Sequence, residues 1–320
     1  DQSRFDDARR AAENATRLLE SAHEPYAQSR QRRARGVVSG VALLQRSLFS
    51  QAWTTLEKEL RAAMESRDVL GEAAALLAIG HLRFRQLRFD KAAGLARSAA
   101  GILLKAGHYG DHAQALVLTA RAERRLGHLD AAREAAEGAV LVSRKCGGRF
   151  AESAAVLEVG HCVLKAARLE EAGGQFMVAL RLAAESGNRE VEVMALRGIG
   201  RVRAREQRLG ETRAVLEQTL LLAREIGHSE LEGVLLRDLG ELHWALRNPS
   251  LATTTFQESA ELLGQIQSYV EELASLAMLR TVHETQRVDD VTTQIRTREL
   301  RQILTPEDVD LSAEPYTVYL

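Results

Sequence analysis

Residues 187–227 read GNREVEVMALRGIGRVRAREQRLGETRAVLEQTLLLAREIG, and this stretch specifies the structural unit of the chain. It begins and ends with a glycine and contains no proline. Apolar side chains recur in it every three or four positions, which is the spacing of one face of an amphipathic helix. A polar segment around Gln207 separates a first helical run from a second one. The stretch therefore predicts two helices joined by a tight turn.

The same unit recurs along the chain with a period of 40 residues. Its first helix carries a glycine at Gly40, Gly80, Gly160, Gly200 and Gly240, with Ala120 in the one remaining place. A small residue follows twelve positions later, at Ala52, Ala92, Ala132, Ala172, Thr212 and Ala252. Small side chains at both places let helix axes approach closely. Because the spacing does not drift over six units, the sequence predicts a regular array of helix pairs.

The helix ends carry a second set of signals. Glycine follows the second helix at Gly107, Gly147, Gly187 and Gly227, where a residue that tolerates left-handed backbone would end it. Glutamate lies in the first turn of the first helix, on the favourable side of the helix dipole, at Glu72, Glu152, Glu192 and Glu232. N-caps of the second helix are predicted at Ser50, Asp90, Asp130 and Ser250.

Three features of the unit resemble the tetratricopeptide repeat (TPR), in the 40-residue variety of bacterial signalling and regulatory proteins. They are Leu-Gly or Ile-Gly in the first helix at 79–80, 199–200 and 239–240, the turn at 126–130, and second-helix alanines such as Ala92 and Ala99. The resemblance covers residues 31–287. It implies an all-α, right-handed superhelical solenoid of antiparallel helix pairs. It also implies that the first helices line a concave groove that binds another molecule.

The two ends of the chain depart from the repeat, as the ends of solenoids do. Residues 1–30 predict a capping helix and a linker, residues 288–304 predict a C-terminal capping helix, and residues 305–320 predict an acidic, flexible tail. Between them, residues 31–287 predict a solenoid of six to seven repeats. The chain begins at Asp1 inside a helical pattern, so we expect it to be a fragment of a larger protein.

Composition argues against several classes of function. The 43 Lys and Arg residues are balanced by 44 Asp and Glu residues, a net charge of −1, which disfavours nucleic acid as the partner. No apolar run reaches the roughly 18 residues of a spanning helix, so we expect no membrane insertion. The two cysteines make no disulfide framework, which indicates reduced thiols in the cytoplasm.

No motif in the sequence predicts catalysis or a cofactor. The glycines recur at a packing period instead of the short spacing of a phosphate-binding loop. His108 and His112 have helical spacing for a metal, but they flank a link between helices and are interpreted as a polar loop. Cys162 is interpreted as a small core residue. We therefore expect a protein that is not an enzyme and that holds neither metal nor cofactor.

The groove positions that the resemblance implies are rich in basic residues. They lie three residues before the repeated glycine, or its equivalent, and one, four and five residues after it. In the four central repeats, eight of these sixteen positions hold Arg or Lys and none is acidic. The candidate ligand-binding residues are His81, Phe84, Arg85, Arg121, Arg124, Arg125, His161, Lys165, Arg197, Arg201, Arg205, Arg237 and Trp244. Like charges in a concavity repel one another, so we interpret them as a site for an anionic ligand.

Two hypotheses concern the ligand of this basic groove. The first is an acidic or phosphorylated peptide segment of a partner protein, since the guanidinium fork matches carboxylate and phosphate groups. In the second, the acidic tail occupies the groove in cis, or in another copy through self-association; its acidic residues are Glu307, Asp308, Asp310 and Glu314. The alternative function is a sensor for a small effector within a larger signalling or transcription protein. Nucleic acid would also suit the arginines, but the interleaved aromatic residues of such sites are lacking.

Overall fold

The computed structural model describes residues 49–304, which fold into thirteen α-helices joined by short links. They are α1 (Phe49–Glu65), α2 (Val69–Arg85), α3 (Phe89–Lys105), α4 (Tyr109–Leu126), α5 (Leu129–Lys145), α6 (Arg149–Lys165), α7 (Leu169–Ser186), α8 (Arg189–Arg205), α9 (Leu209–Glu225), α10 (Ser229–Ala245), α11 (Pro249–Gln265), α12 (Tyr269–Gln286) and α13 (Val291–Ile303). Even-numbered helices are the first helices of the units, and odd-numbered helices are the second. These residues contain no strand, and the predicted all-α array of helix pairs is confirmed.

The helices are arranged in two layers. Each helix packs against the next one along the chain. Each even-numbered helix from α2 to α10 also approaches the next even-numbered helix, with Cα atoms within 8 Å. Between residues 49 and 304, no two odd-numbered helices approach one another in this way. The even-numbered helices therefore form the inner layer of a helical solenoid, and the odd-numbered helices form its outer layer.

The repeated glycine is needed where an inner helix meets a large side chain of an outer helix. A Cβ atom at Gly160 would lie 2.8 Å from the ring of Phe176, and one at Gly198 would lie 2.7 Å from the same ring. At Gly240 the distance to the ring of Phe256 would be 2.6 Å. Such distances are shorter than van der Waals contact, so any larger residue would push the two layers apart.

A residue with positive φ follows every helix from α1 to α12, at intervals of 20 residues. Glycine fills these places at Gly107, Gly127, Gly147, Gly187 and Gly227, and other residues fill them at Arg67, Leu87, Ala167, Gln207, Arg247, Gln267 and Arg287. In each link two N–H groups bond back to the preceding helix, as in Leu87 to Phe84 at 3.0 Å and Arg88 to Arg83 at 2.9 Å. The links within units and between units thus share one left-handed geometry. The sequence predicted left-handed backbone only for the links between units, where glycine marks it.

Three of the four predicted N-caps of the second helices are wrong by two positions, and the fourth, Ser50, lies within α1. The capping residues are Arg88, His128 and Asn248, each two residues before a predicted cap. The link fixes this offset, because the outer helices from α3 to α11 each start two residues after the left-handed residue. Asp90 and Asp130 therefore lie in the first turn, where a carboxylate still favours the helix dipole. The four first-turn glutamates of the inner helices lie where the sequence predicted them.

The last described helix, α13, packs against α12. The predicted cap and linker of residues 1–30 and the predicted tail of residues 305–320 lie outside the described residues. The division of the chain into these segments stays a prediction. None of the helices between residues 49 and 304 combines the length and the apolar character that spanning a bilayer requires.

Candidate ligand-binding groove

The inner faces of α2, α4, α6, α8, α10 and α12 form a surface that we call the groove wall. Ion pairs join side chains of one inner helix to those of another, which places these side chains on the inner layer. The predicted residues that take part are Arg85, Arg121, Arg124, Arg197 and Arg237.

Glu158 on α6 is the central acceptor of the groove wall. The Nε atom of Arg121 lies 2.9 Å from Oε1 of Glu158, and Nη2 of Arg124 lies 3.0 Å from Oε2. The side chain of Glu158 is only 1% exposed. Two guanidinium groups of α4 therefore share one buried carboxylate, which leaves one positive charge in excess at this place.

Arg197 of α8 and Arg237 of α10 are each paired with one carboxylate. Arg197 donates two hydrogen bonds to Asp238, one of them 2.8 Å from Nη2 to Oδ1. Arg237 donates to Glu271 of α12, with 2.8 Å between Nη2 and Oε2. Burial opposes the charged forms, but the attraction is stronger: it raises the pKa of Arg197 and lowers the pKa of Glu271. These two ion pairs are each electrically balanced.

Arg85 of α2 and Glu230 of α10 join two parts of the wall that are 145 positions apart in sequence. No Cα atom of α2 lies within 8 Å of a Cα atom of α10 or α12, so side chains alone make this contact. One apolar cluster likewise combines residues of α1, α2 and α3 with residues of α11, α12 and α13, and Phe84 and Trp244 pack against it. Side chains therefore close the groove between its first and fifth inner helices.

The remaining predicted residues lie toward the C-terminal ends of the inner helices. Nη1 of Arg205 donates to the carbonyl oxygen of Leu164 at 2.8 Å, in the last turn of α6, where the helix dipole favours a cation. The guanidinium of Arg125 lies 4.6 Å from the ring centroid of Phe89, so it faces the start of α3. Lys165 is exposed at the end of α6.

His161 lies at the midpoint of the groove wall, between the arginines of α4 and those of α8. Enclosure within the groove and neighbouring positive charge hold its pKa well below 6.5. The charges responsible are those of Arg124, Arg201, Arg197 and Arg121. The imidazole packs edge-on against Phe176, with 5.1 Å between ring centroids. The local field at His161 is thus positive, even with Glu158 on the same helix.

His81 occupies the equivalent place on α2, and its side chain is exposed to the groove. Enclosure and the charge of Arg121 lower the pKa of His81 to about 4. Both histidines are therefore neutral at pH 7, and the fixed charges of the groove wall belong to its arginines and carboxylates.

The groove wall carries mixed charge, whereas the sequence predicted an unbalanced basic band. The carboxylates that the prediction missed are Glu158, Glu230, Asp238 and Glu271. Glu158 and Asp238 both stand two positions before the repeated glycine, a place that had not been assigned to the groove. That shared position is the signal that would have revealed them, because it faces an arginine of the preceding inner helix. The role of the thirteen predicted residues in ligand binding stays a prediction.

Of the other residues considered in the sequence, His108 is exposed and precedes α4. The interpretation of His112 as part of a polar loop is wrong, because His112 lies in the first turn of α4. His112 is buried, and its Nδ1 lies 2.9 Å from the carbonyl oxygen of Ala100, a contact that ties α4 to α3. Cys162 is buried in α6, as the sequence predicted, and burial raises the pKa of its thiol to about 11. Within residues 49–304, no three His, Cys, Asp or Glu residues are grouped so as to hold a metal ion.

Comparison with known proteins identifies the fold. No family model matches the chain, and no curated protein matches its sequence. Aspartyl phosphate phosphatase F from Bacillus subtilis superposes with a TM-score of 0.64 at 12% identity, over 92% of this chain and 76% of that one. A Rap conjugation gene regulator of the plasmid pLS20, in complex with the Phr* peptide, gives 0.64 at 15% identity, over 89% of this chain and 78% of that one.

A third solved structure extends well beyond the part that superposes on this chain. It is a signal transduction ATPase with a tetratricopeptide repeat sensor from Pyrococcus horikoshii, with a TM-score of 0.58 and 16% identity. The superposition covers 92% of this chain and 46% of that one. At these identities the likeness concerns the fold, and the described part of the chain is a tetratricopeptide-type helical solenoid.

Proposed function

We propose that this chain is a non-catalytic interaction scaffold whose groove wall binds an acidic or phosphorylated peptide segment of a partner protein. The observation that carries the proposal is the pair Arg121 and Arg124, which share the single carboxylate of Glu158. The positive charge in excess lies beside neutral His161, where an extended segment in the groove would meet it. Carboxylate or phosphate oxygens of that segment would accept hydrogen bonds from the guanidinium groups.

Proteins of similar fold support the peptide-binding part of this proposal. The Rap conjugation regulator was solved in complex with a peptide, and we assign peptide binding to the groove here by analogy. Another protein of this fold is named a phosphatase. The non-catalytic assignment therefore rests on this chain's own sequence, which carries no catalytic motif.

The arginines of the groove wall are oriented before a ligand arrives. Ion pairs with Glu158 and Asp238 hold Arg121, Arg124 and Arg197, so a ligand meets fixed donors and loses less entropy on binding. A single exposed ion pair contributes only about 0–1 kcal/mol, so several must act together with apolar contacts. Partly buried apolar side chains near the closure of the groove would supply those contacts.

A peptide array tests the proposed ligand class. The labelled full chain is applied to short peptides that carry Asp, Glu, phosphoserine, Lys or an uncharged residue at each position. We expect selection of acidic and phosphorylated residues, with binding that weakens as salt screens the groove. Selection of Lys, or binding that is indifferent to salt, contradicts the proposal.

Arg121→Gln is the matched groove variant for this array. It removes the excess charge while Arg124 stays paired with Glu158, so the fold should be kept and acidic selection should weaken several-fold. Arg213→Gln, on the exposed face of outer helix α9, removes the same charge outside the groove and should leave selection unchanged. An equal effect of the two variants would argue against binding in the groove.

The acidic tail enters the proposal as a competing ligand. Residues 305–320 follow shortly after α13 and carry four carboxylate side chains. Occupation of the groove by this tail, in cis or in a second copy, would reduce the binding of a partner peptide. A chain that ends at residue 304 should therefore bind acidic peptides more tightly than the full chain, and should self-associate less. Equal affinity of the two chains removes the tail from the proposal.

A second candidate function is a sensor for a small effector within a larger signalling or transcription protein. The likeness to the ATPase with a repeat sensor favours it. A thermal-shift screen of small metabolites distinguishes the two candidates. The sensor function is favoured if a compound raises the Tm and no peptide on the array binds.

We also propose that the protein is cytoplasmic. Cys146 and Cys162 are both free, and Cys146 is exposed. An exposed thiol stays reduced in that compartment, whereas oxidising compartments favour disulfides.

A further inference from the structure

We infer that the groove wall contains a phosphoryl-binding subsite centred on His161 and formed with Arg121, Arg124 and Arg201. The inference rests on the proposed function, because it names the chemical group that the groove would recognise in a peptide. Three features carry it: the carboxylate shared by two arginines, the guanidinium N–H groups that remain available, and the arginines on both sides of His161.

Glu158 orients the two arginines of α4 without using all of their donors. A guanidinium has five N–H groups, and Glu158 accepts one bond from Arg121 and one from Arg124. The Nε atom of Arg124 is buried and has no hydrogen-bond partner within residues 49–304. A buried donor without a partner is unfavourable, so an acceptor bound at this place would be stabilised.

The charged groups around His161 come from four inner helices. They are Arg121 and Arg124 on α4, Glu158 on α6, Arg197 and Arg201 on α8, and Asp238 and Glu241 on α10. Asp238 is bonded to Arg197, and the charge of Glu241 also acts on Arg197. At His161 itself the four arginines of α4 and α8 all act to lower the pKa of the imidazole.

This arrangement suits a phosphoryl group better than a carboxylate. A carboxylate presents two oxygens in one plane and is satisfied by one guanidinium fork, as Asp238 is by Arg197. A phosphate monoester has three terminal oxygens in a tetrahedral arrangement and a charge of about −1.5 to −2 at pH 7. It can therefore accept hydrogen bonds from α4, α6 and α8 together.

His161 links binding in this subsite to the uptake of a proton. The surrounding arginines keep the imidazole neutral in the free protein, and Phe176 covers it from the outer layer. A bound phosphoryl group would offset the charge of the arginines and raise the pKa of His161. The imidazole would then take up a proton and donate a further hydrogen bond to the anion.

A pH titration of the full chain by NMR tests the subsite with inorganic phosphate as the probe. The ring signals of His161, assigned by their loss in His161→Gln, are followed in phosphate and in acetate at equal ionic strength. We expect phosphate to raise the titration midpoint of His161 by about one pH unit, because a nearby opposite charge favours the charged imidazole. Acetate should leave the midpoint of His161 unchanged, and His108, exposed at the start of α4, should respond to neither anion.

Two variants make the test sharper. Arg121→Gln should lose the phosphate-induced shift while keeping the fold, since Glu158 stays paired with Arg124. Glu158→Gln removes the carboxylate that competes with the anion and should strengthen phosphate binding several-fold. A purely structural role of this ion-pair cluster predicts no such gain. Arg213→Gln on α9 is the matched control and should behave like the unmodified chain.

The outcomes separate the subsite from the function on which it rests. Equal shifts in acetate and phosphate overturn the phosphoryl assignment, and no shift in either anion overturns the subsite. If acidic peptides still bind the array in that case, the proposed scaffold stands without the subsite. A shift in phosphate with no peptide bound on the array supports the subsite and removes the peptide scaffold.

Discussion

At the residue scale, glycine has opposite effects at two places in the same unit. Gly107 has a φ of +72° in the link after α3, whereas Gly101 lies within α3. A Cβ atom added at either position would meet nothing within 4 Å. Substitution by alanine at these positions therefore changes the backbone free energy without changing the packing.

The first prediction compares Gly107→Ala with Gly101→Ala. The left-handed backbone at Gly107 should cost an alanine about 1 kcal/mol of unfolding free energy. Alanine at Gly101 should add up to about 1 kcal/mol, because glycine is a poor helix former. Urea-induced unfolding, followed by circular dichroism, measures both values. Changes of the same sign at the two positions would contradict the link geometry.

The neutral His161 makes the stability of the protein depend on pH. Its pKa is depressed in the folded chain, whereas in the unfolded chain it titrates near 6.5. The unfolded state therefore binds more protons below that value, and the contribution of His161 to stability is present above pH 6.5 and lost as the pH falls. The loss is up to about 1.4 kcal/mol for each pH unit below 6.5.

The second prediction is that His161→Gln flattens this pH dependence. The urea midpoint of the unmodified chain should fall between pH 7.5 and pH 5.5, and that of His161→Gln should fall less, since glutamine does not titrate in this range. His108→Gln serves as the control, because His108 is exposed at the start of α4. If the pH dependence of stability is the same in all three chains, a residue other than His161 causes it.

At the element scale, the repeated glycine faces a large side chain of the outer helix in the units of Gly160, Gly200 and Gly240. Gly240 faces the ring of Phe256, with 2.6 Å to an added Cβ, and Gly200 faces Leu216 at 3.1 Å. The unit that has Ala120 in place of glycine has Ala136 at the position equivalent to Phe256. Where Ala120 replaces the glycine, the residue that it would face on the outer helix is thus also small.

The third prediction is that Gly240→Ala destabilises the chain by about 1–3 kcal/mol through overpacking. With Phe256→Ala in place, the added methyl group has room, so the same change should cost much less. A double-mutant cycle of unfolding free energies measures this coupling. Gly94→Ala on α3, where an added Cβ meets nothing within 4 Å, is the control and should not be destabilising. Additive effects would show that the two positions do not constrain one another.

The helices themselves could be predicted well from the sequence, and their ends less well. The 40-residue spacing of glycines predicted the helix pairs because it reflects contacts between neighbours in the chain. The tight turns at Leu87 and Gln207 were predicted but their left-handed backbone was missed, because these residues adopt it without the glycine that usually marks it. The cap positions were missed for the same reason, since the link sets where the next helix starts.

At the scale of the whole molecule, the sequence could predict which side chains face the groove. It could not predict which of the charged side chains pair with one another. The register of an inner helix places Arg121 and Arg197 on the groove wall. Whether their charge is balanced depends on the next inner helix, about forty residues later in the chain, where Glu158 and Asp238 stand. The contact of Arg85 with Glu230 depends on the curvature of the whole solenoid, which no local pattern encodes.

The fourth prediction concerns this contact across the groove. Arg85→Glu places like charges together and should open the groove, which small-angle X-ray scattering would record as a larger radius of gyration. The exchanged pair Arg85→Glu with Glu230→Arg should restore the compact form in large part. Arg213→Glu, beside Glu217 on outer helix α9, creates the same kind of repulsion and should not change the shape. If the exchanged pair does not reverse the opening, the apolar cluster alone keeps the groove closed.

The side-chain contact between α2 and α10 also bears on how the protein unfolds. Stacked repeats touch only their neighbours, so a linear array frays from its termini while its middle persists. Here the early and late repeats share a boundary, and each protects the other from fraying. Amide protons at the two ends should consequently exchange with solvent in one concerted opening, as they would in a ring that has to be broken before it can unwind.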